Sequence, residues 1–185
     1  MSRYPVHTID SAPEQSQPVL QHLQQVFGLI PNIAGTMAGS PVLINGFAGL
    51  FERVHASSLT EPQIQTLLLT NAVTNASAWP VAFHTALALK EGVHPADVEA
   101  IRRGVLPDDA GLAALSALAR ALIEKRGRLS EADQQRFLEA GFSTGQILEV
   151  IAVVAASTIT NYAASVTQPP LEAQFESYVW RANAA

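Results

Sequence analysis

The sequence predicts an all-α fold of packed helices in one domain. Aromatic residues make up only 6% of the chain, and the alternating Val, Ile and Thr runs typical of strands are missing. Helix start and stop signals recur along the whole sequence instead. The chain has 185 residues, 48% of them hydrophobic, which is enough for one sizeable core and too few for two large domains. We therefore expect a single helical domain at residues 16–185, preceded by an arm at residues 1–15.

Proline and glycine define the N-terminal part of the chain. The arm is polar and carries Pro5 and Pro13, which predicts a segment that lies on the surface or reaches a neighbouring subunit. The first helix is predicted at residues 17–27. Residues 28–35, with the sequence GLIPNIAG, break this helix and begin a short helical piece.

Capping residues define the remaining helix starts. Ser40 precedes a proline in the first turn, as an N-cap does. Two capping boxes are predicted, one at Thr60 with Gln63 and one at Ser143 with Gln146. Because the two boxes open similar segments at an irregular period, we expect a repeated helix-pair unit and not a solenoid. The predicted helices are residues 41–56, 61–76, 78–91, 95–103, 108–126, 130–140, 143–166 and 171–182.

The longest helix contains a 20-residue apolar segment, residues 147–166. It includes Glu149, Asn161 and five hydroxyl side chains, so it is poorer in strongly apolar residues than a bilayer helix requires. A helix that is apolar on most sides is typical of a core or an oligomer interface. We therefore expect a homo-oligomer and no membrane partner.

Composition and charge exclude several classes of function. The net charge is −5, and no run of basic residues is longer than Arg102-Arg103, so we expect no nucleic-acid partner. The N-terminus has no apolar region of the kind that signal peptides carry, which predicts a cytoplasmic protein. The chain contains no cysteine, which excludes disulfides, thiolate metal sites and cysteine-based catalysis. No metal constellation and no cofactor motif is present.

One histidine lies on a helix beside other polar candidates. His84 shares a side of the helix at 78–91 with Ser77 and Pro80. On the preceding helix, Gln65 falls within the apolar face, where an unpaired amide would cost about 1–3 kcal/mol. Two antiparallel helices joined near Ser77 would bring Gln65 towards His84. A structural histidine, hydrogen-bonded to a nearby acceptor, remains the alternative to a functional one.

Three segments resemble the AhpD-like superfamily, which includes carboxymuconolactone decarboxylases and alkylhydroperoxidases. They are the entry at residues 28–54, which contains Ile-Pro-Asn, the helix pair at residues 59–93, and the apolar segment at residues 140–164. They follow one another in the order and at the spacing of the peroxidase-related branch. The resemblance implies an AhpD-like helical bundle.

The family's reactive motif is changed in this chain. The peroxidase branch carries Cys-x-x-Cys-x-x-x-His, with a glutamate twelve residues before the first cysteine. In this sequence these positions hold Ser77, Pro80, His84 and, for the glutamate, Gln65. Serine has no thiolate to attack a peroxide, and glutamine does not titrate. The resemblance therefore implies a relative that is not a thiol peroxidase.

Two kinds of function remain open. In one, the protein is a non-redox lyase-type enzyme or a small-molecule-binding protein, with His84 as acid or base and a small organic acid or aromatic ligand. The expected lining of its pocket is Gln65, Ser77, Trp79, Pro80 and Asn161. In the other, it is a catalytically inactive pseudoenzyme that acts as a structural or regulatory oligomer. Trp79 is also consistent with a core position, and Asn161 with a hydrogen bond between helices.

Overall fold

A computed structural model describes residues 3–182 of the chain. Within this range the protein has nine α-helices, two short 3₁₀ helices and no β-strand, which confirms the all-α prediction. The α-helices are α1 (Gln17–Phe27), α2 (Asn32–Met37), α3 (Pro41–His55), α4 (Glu61–Thr74), α5 (Ala78–Lys90), α6 (Pro95–Arg102), α7 (Ala110–Glu124), α8 (Glu131–Glu139) and α9 (Thr144–Thr167). The 3₁₀ helices are Glu14–Ser16 and Ala173–Tyr178.

The capping residues place most helices where the sequence predicts them. From α3 to α9 every boundary lies within two residues of its prediction. The two capping boxes are confirmed, since the backbone N–H of Thr60 donates to Gln63 Oε1 and that of Ser143 donates to Gln146 Oε1, both at 2.9 Å. The short piece predicted at residues 28–35 begins later, after Pro31, and extends to Met37 as α2.

The prediction of a last helix at residues 171–182 is wrong. This segment holds one 3₁₀ helix, Ala173–Tyr178, and is otherwise irregular. Its carbonyl groups bond to a side chain instead of to helical N–H groups: the Arg102 guanidinium donates to the carbonyls of Tyr178 and Val179 at 3.1 and 3.2 Å. Trp180 completes the attachment by donating its indole N–H to the carbonyl of Arg102 at 2.9 Å.

Helix α4 lies at the centre of the fold. Its residues 64–72 are all buried, and it packs against α5, α7 and α9. One apolar cluster joins α3, α4, α7, α8 and α9, and another joins α4 to α5 and α6. A further cluster gathers α1, α2, α3, α5 and the chain ends, and it surrounds the candidate site described below.

Helix α9 is long and apolar enough to span a membrane by its 24 residues and mean hydropathy of 1.6. In this fold Ile147, Val150 and Val153 are buried in the cluster shared with α4 and α7, which is the packing of a core helix. On another side of α9, however, several side chains are exposed. They are Leu148, Ile151, Tyr162 and Val166.

The N-terminal arm lies against α2. The backbone N–H of His7 donates to the carbonyl of Gly35 at 3.1 Å, and a Cβ added at Gly35 would come within 2.7 Å of Val6 Cγ1. Ala12 is buried in the cluster around the candidate site. The ends of the predicted arm and domain, residues 1–2 and 183–185, lie outside the described residues.

Candidate functional site

A tight turn between α4 and α5 sets up the site. Ala76 has a φ of +51°, a left-handed conformation that costs a residue with a Cβ roughly 1 kcal/mol. The turn is closed by a backbone bond from Ser77 N–H to the carbonyl of Ala72 at 2.9 Å. Because the connection is short, α4 and α5 run antiparallel and their side chains meet.

The turn brings Gln65 and His84 into contact. Nδ1 of His84 lies 3.1 Å from Oε1 of Gln65, and the two residues are only 5% and 3% exposed. An amide oxygen accepts hydrogen bonds, so Nδ1 is the donor and Nε2 of the ring is left as an acceptor. The amide expected to need a partner on the apolar face of α4 therefore has one.

Burial keeps His84 neutral. Removal of the imidazole from water, together with the nearby charge of His55, lowers the pKa of His84 from 6.5 to about 3. The side chain that faces the ring from α4 is a neutral amide, so it provides no charge to offset this effect. His84 can accept or donate a hydrogen bond at pH 7, but it carries no charge.

His84 lines a small apolar cavity, called here the inner cavity, with a volume of about 50 Å³. None of its lining side chains, all from the described residues, carries a charge at pH 7. The lining residues whose side chains carry a nitrogen or oxygen atom are His84, Thr160 and Trp79. The other lining residues are Leu23, Phe27, Pro31, Ile33, Ala34, Met37, Phe47, Phe51, Pro80 and Phe83.

Trp79 is held in place as one wall of the inner cavity. Its ring stacks on Phe83 with the centroids 5.0 Å apart. Its indole N–H donates to Glu172 Oε2 at 3.1 Å. The other oxygen of Glu172 accepts the backbone N–H of Asn32, the first residue of α2. The C-terminal segment therefore orients a cavity residue from 93 positions away.

A larger and more polar cleft, called here the outer cleft, adjoins the inner cavity. It has a volume of about 370 Å³, within the range of ligand-binding pockets. Both spaces are lined by one set of apolar side chains, called here the shared wall: Leu23, Phe27, Phe47 and Phe51. Gln65 lines the outer cleft, so the Gln65–His84 pair links the two spaces.

The outer cleft contains a histidine paired with a carboxylate. Nδ1 of His55 lies 2.8 and 3.0 Å from the two carboxylate oxygens of Glu61. His55 is not among the residues that the sequence predicts for the site. Its partner lies six positions later, beyond the break between α3 and α4. The capping box at Thr60 predicts that break and that Glu61 begins the next helix.

The structure places the predicted site residues in three different locations. Trp79, Pro80 and His84 line the inner cavity, and Gln65 lines the outer cleft. Ser77 and Asn161 line neither space. The hydroxyl of Ser77 is buried and donates to the backbone carbonyl of Asn161 at 3.2 Å, so it points towards α9 and away from His84.

The expected hydrogen bond from the Asn161 side chain to another helix is absent from the described residues. Its amide nitrogen donates to Ser157 Oγ within α9 at 3.2 Å, and its side-chain oxygen accepts no bond from any described residue. The contact between helices at this point runs through the main chain, from Ser77 to the Asn161 carbonyl. The neighbouring residue, Thr160, is the one that lines the inner cavity.

Metal ligands do not cluster in the part of the chain that the structure describes: no three His, Asp or Glu side chains converge on one point. Thiol chemistry is excluded by the sequence itself, which has no cysteine. The chemistry available at the site is therefore hydrogen bonding at His84 and Gln65, proton transfer at His55, and apolar contact with the aromatic walls.

The fold is similar to that of several solved structures. An uncharacterized peroxidase-related protein with an AhpD core, from Ralstonia eutropha, superposes with a TM-score of 0.84 at 20% identity over 94% of each chain. A peroxidase-related protein from Silicibacter gives a TM-score of 0.76 at 19% identity, over 94% of this chain and 92% of the other. No protein-family model and no curated protein sequence matches the chain.

A further similar structure contains a ligand. It is a cysteine-to-alanine variant of the debrominase Bmp8 in complex with 2,3,4-tribromopyrrole, with a TM-score of 0.79 at 19% identity over 96% of this chain and 97% of the other. At such identities the likeness establishes the fold. This protein therefore has the AhpD-like fold, and it has that fold without a single cysteine.

Proposed function

We propose that the protein binds a small neutral aromatic molecule that carries a hydrogen-bond donor. The ring of the ligand lies in the outer cleft against the shared wall, and its donor group enters the inner cavity to reach Nε2 of His84. The observation that carries this proposal is a neutral imidazole acceptor in a cavity whose other walls are almost entirely apolar.

The dimensions of the two spaces support this arrangement. The inner cavity, at about 50 Å³, has room for a few water-sized groups and not for a ring. The outer cleft, at about 370 Å³, has room for a ring, and Phe27 and Phe51 supply aromatic surface for edge-to-face or stacked contact. A ligand that spans both spaces satisfies the one acceptor and the apolar wall together.

The charge distribution favours a neutral ligand over an organic acid. A buried carboxylate needs a cation or several donors to offset the loss of its hydration. The inner cavity provides no cation. In the outer cleft one lysine, Lys90, shares the lining with three glutamates, Glu52, Glu61 and Glu91. A lyase-type reaction on an organic acid therefore receives less support from the site than binding of a neutral aromatic compound.

The similar structures add support of a limited kind. The ligand in the Bmp8 complex, 2,3,4-tribromopyrrole, is a small aromatic ring with an N–H donor, the chemical class proposed for this protein. The chemistry of any reaction must differ from a thiol mechanism, because this chain has no cysteine. A pseudoenzyme that serves only as an oligomeric module remains the alternative.

The test uses three probes that differ in one property each. Phenol is neutral and carries a donor, anisole lacks the donor, and benzoate is anionic. In titrations followed by NMR, phenol is expected to bind roughly three- to tenfold more tightly than anisole, the range of one net hydrogen bond, and more tightly than benzoate.

A pair of variants localises the binding. His84→Gln is expected to remove the preference for phenol over anisole. His94→Asn replaces an N-capping histidine that lines neither space with another N-capping residue, and it is expected to retain the preference. Equal affinities for phenol and anisole in the wild type would overturn the proposed role of His84. Absence of binding by all three probes at millimolar concentration would favour the oligomeric pseudoenzyme.

A further inference from the structure

The carboxylate of Glu61 holds the imidazole of His55 in one orientation, as in histidines that act as general bases. A carboxylate only accepts hydrogen bonds, so the Nδ1 atom of His55, at 2.8 and 3.0 Å from the two oxygens, carries the proton between them. Nε2 is then unprotonated in the neutral ring and makes no hydrogen bond with any described residue. Both residues line the outer cleft and are partly exposed to it, so Nε2 is available to a bound molecule.

The position of Glu61 relates this pair to the Gln65–His84 pair. Glu61 and Gln65 are four residues apart on α4, so their side chains follow one another along the same face of the helix. The inner pair has a neutral amide beside its histidine, and the outer pair has a carboxylate. Glu61, the carboxylate of this site, therefore lies one helical turn before Gln65. It is the more exposed of the two, and solvent reduces the cost of its charge.

We infer that His55 is the general base of the outer cleft and that Glu61 is the residue that positions it. This inference rests on the proposed function, because the substrate belongs to the ligand class bound there: a neutral aromatic compound with an acidic C–H bond and a leaving group on the adjacent atom. The reaction class is elimination, a non-redox lyase-type step.

The step balances without any co-reactant. Nε2 of His55 takes the proton, the C–H bond breaks, and its electron pair forms a new π bond while the bond to the leaving group breaks. The leaving group departs as an anion. Glu61 stabilises the imidazolium that forms, as a carboxylate does in other oriented histidine pairs. The amide nitrogen of Gln65 and the ammonium group of Lys90 face the same cleft as donors for the departing anion.

Other titrating or charged groups also face the outer cleft from the helices around it. They are His22 on α1, Glu52 on α3, and Lys90 and Glu91 at the end of α5. His84 lies behind Gln65. The experiment must therefore distinguish His55 from its neighbours by matched variants as well as by the separate values of kcat and KM.

The test uses 5-nitrobenzisoxazole, a neutral aromatic probe that a general base opens to a coloured phenolate. The base removes its only carbon-bound ring proton next to nitrogen, a nitrile forms, and the N–O bond breaks. The purified protein is expected to accelerate this reaction over buffer. His55→Gln is expected to reduce the protein-dependent rate about 10²-fold, the lower range for a positioned general base.

The kinetic constants test the positioning residue. In Glu61→Gln the value of kcat is expected to fall about tenfold, part of the contribution of a positioned general base, because the imidazole has lost the carboxylate that orients it. The value of KM is expected to stay near that of the wild type, and Glu61→Asp, which keeps the carboxylate, is expected to recover part of kcat. A residue with a purely structural role would change the amount of folded protein and leave kcat per folded molecule unchanged. His94→Asn, at a histidine that lines neither space, is expected to retain the wild-type kinetic constants.

The outcomes separate this inference from the proposed function. A wild-type rate in His55→Gln, or a wild-type kcat in Glu61→Gln, overturns the inference. If His55→Gln does not fold, as judged by its helical circular dichroism, the kcat of Glu61→Gln decides alone. If phenol binds but elimination is not accelerated, the role of His55 as a general base is refuted and the binding proposal is retained. Elimination that depends on His55, without a preference for phenol over anisole, supports the general base and refutes the proposed hydrogen bond from the ligand to His84.

Discussion

Oε1 of Gln65 accepts a hydrogen bond from Nδ1 of His84 at 3.1 Å, inside the hairpin of α4 and α5. In the peroxidase branch that the sequence resembles, the position of Gln65 holds a glutamate. Here a neutral amide meets the imidazole, and the pKa of His84 falls to about 3 because the ring is buried. This contact makes His84 a neutral hydrogen-bonding group and not a charged relay.

Gln65→Glu is expected to raise the pKa of His84 by about 1 to 3 pH units, the effect of an opposite charge at contact distance. An NMR titration of the His84 imidazole measures this change. Gln134→Glu, which adds the same charge on the exposed face of α8, is the matched control and is expected to leave the titration unchanged. An identical midpoint in Gln65→Glu and the wild type would show that the two side chains do not share a pocket in solution.

The stability of the protein is expected to fall below pH 6.5 because of His84. Its pKa is about 3 in the folded state and 6.5 in an unfolded chain. Between these values the unfolded state binds more protons, so acid favours unfolding, by up to about 1.4 kcal/mol per pH unit.

Urea unfolding at pH 7 and pH 5 measures this contribution. The loss of free energy of unfolding between the two pH values is expected to be about 2 kcal/mol smaller in His84→Gln than in the wild type. His94→Asn is expected to retain the wild-type loss. Equal pH dependence in His84→Gln and the wild type would contradict a buried neutral histidine.

The wild-type protein is expected to show no peroxide reduction with any dithiol, because it has no cysteine and no other side chain forms a recyclable sulfenate. The double variant Ser77→Cys with Pro80→Cys is expected to form a disulfide, since the two positions lie three residues apart in the first turn of α5.

Peroxidase activity of that double variant is expected to stay low until Gln65→Glu is added, because Gln65 cannot relay a proton. Dithiol-coupled peroxide consumption and a count of free thiols measure the two properties. Turnover by the wild type above a heat-inactivated sample would refute the exclusion of peroxidase chemistry. Full activity of the double variant alone would refute the need for a carboxylate.

Helix α9 is expected to form an interface between copies of the chain through the exposed stripe of Leu148, Ile151, Tyr162 and Val166. Light scattering at micromolar concentration is expected to give a mass above that of one 19.7 kDa chain. Ile151→Glu and Tyr162→Glu are expected to lower this mass, because a buried unpaired charge destabilises an interface. Val105→Glu, at an exposed apolar residue outside α9, is the matched control. A monomeric wild type would contradict the interface.

The helices could be predicted from the sequence because their ends are decided locally. A capping box such as Thr60 with Gln63 acts within one turn, so its residues are adjacent in any fold that contains the helix. The last predicted helix failed for the opposite reason. Pro169 and Pro170 suggested a helix start, but Arg102, 76 positions before Tyr178, bonds to the carbonyls of this segment.

The site could be predicted only in part. The resemblance implied Gln65 and His84 as partners, and one short turn is enough to bring two consecutive helices together. The places of Ser77 and Asn161 could not be predicted, because they depend on how α9 lies across the start of α5. The pair of His55 and Glu61 was missed because a helical spacing rule does not extend across a break between helices.

The sequence by itself determined the helices from α3 to α9 to within two residues, the absence of thiol chemistry, and the neutral residue opposite His84. Each of these depends on residue type or on neighbours within a few positions. Only the tertiary structure decided that Glu172 orients Trp79 from 93 positions away, and that the shared wall lines both an inner cavity and an outer cleft. Such contacts join segments far apart in the chain, and the packing of whole helices determines which side chains face one another.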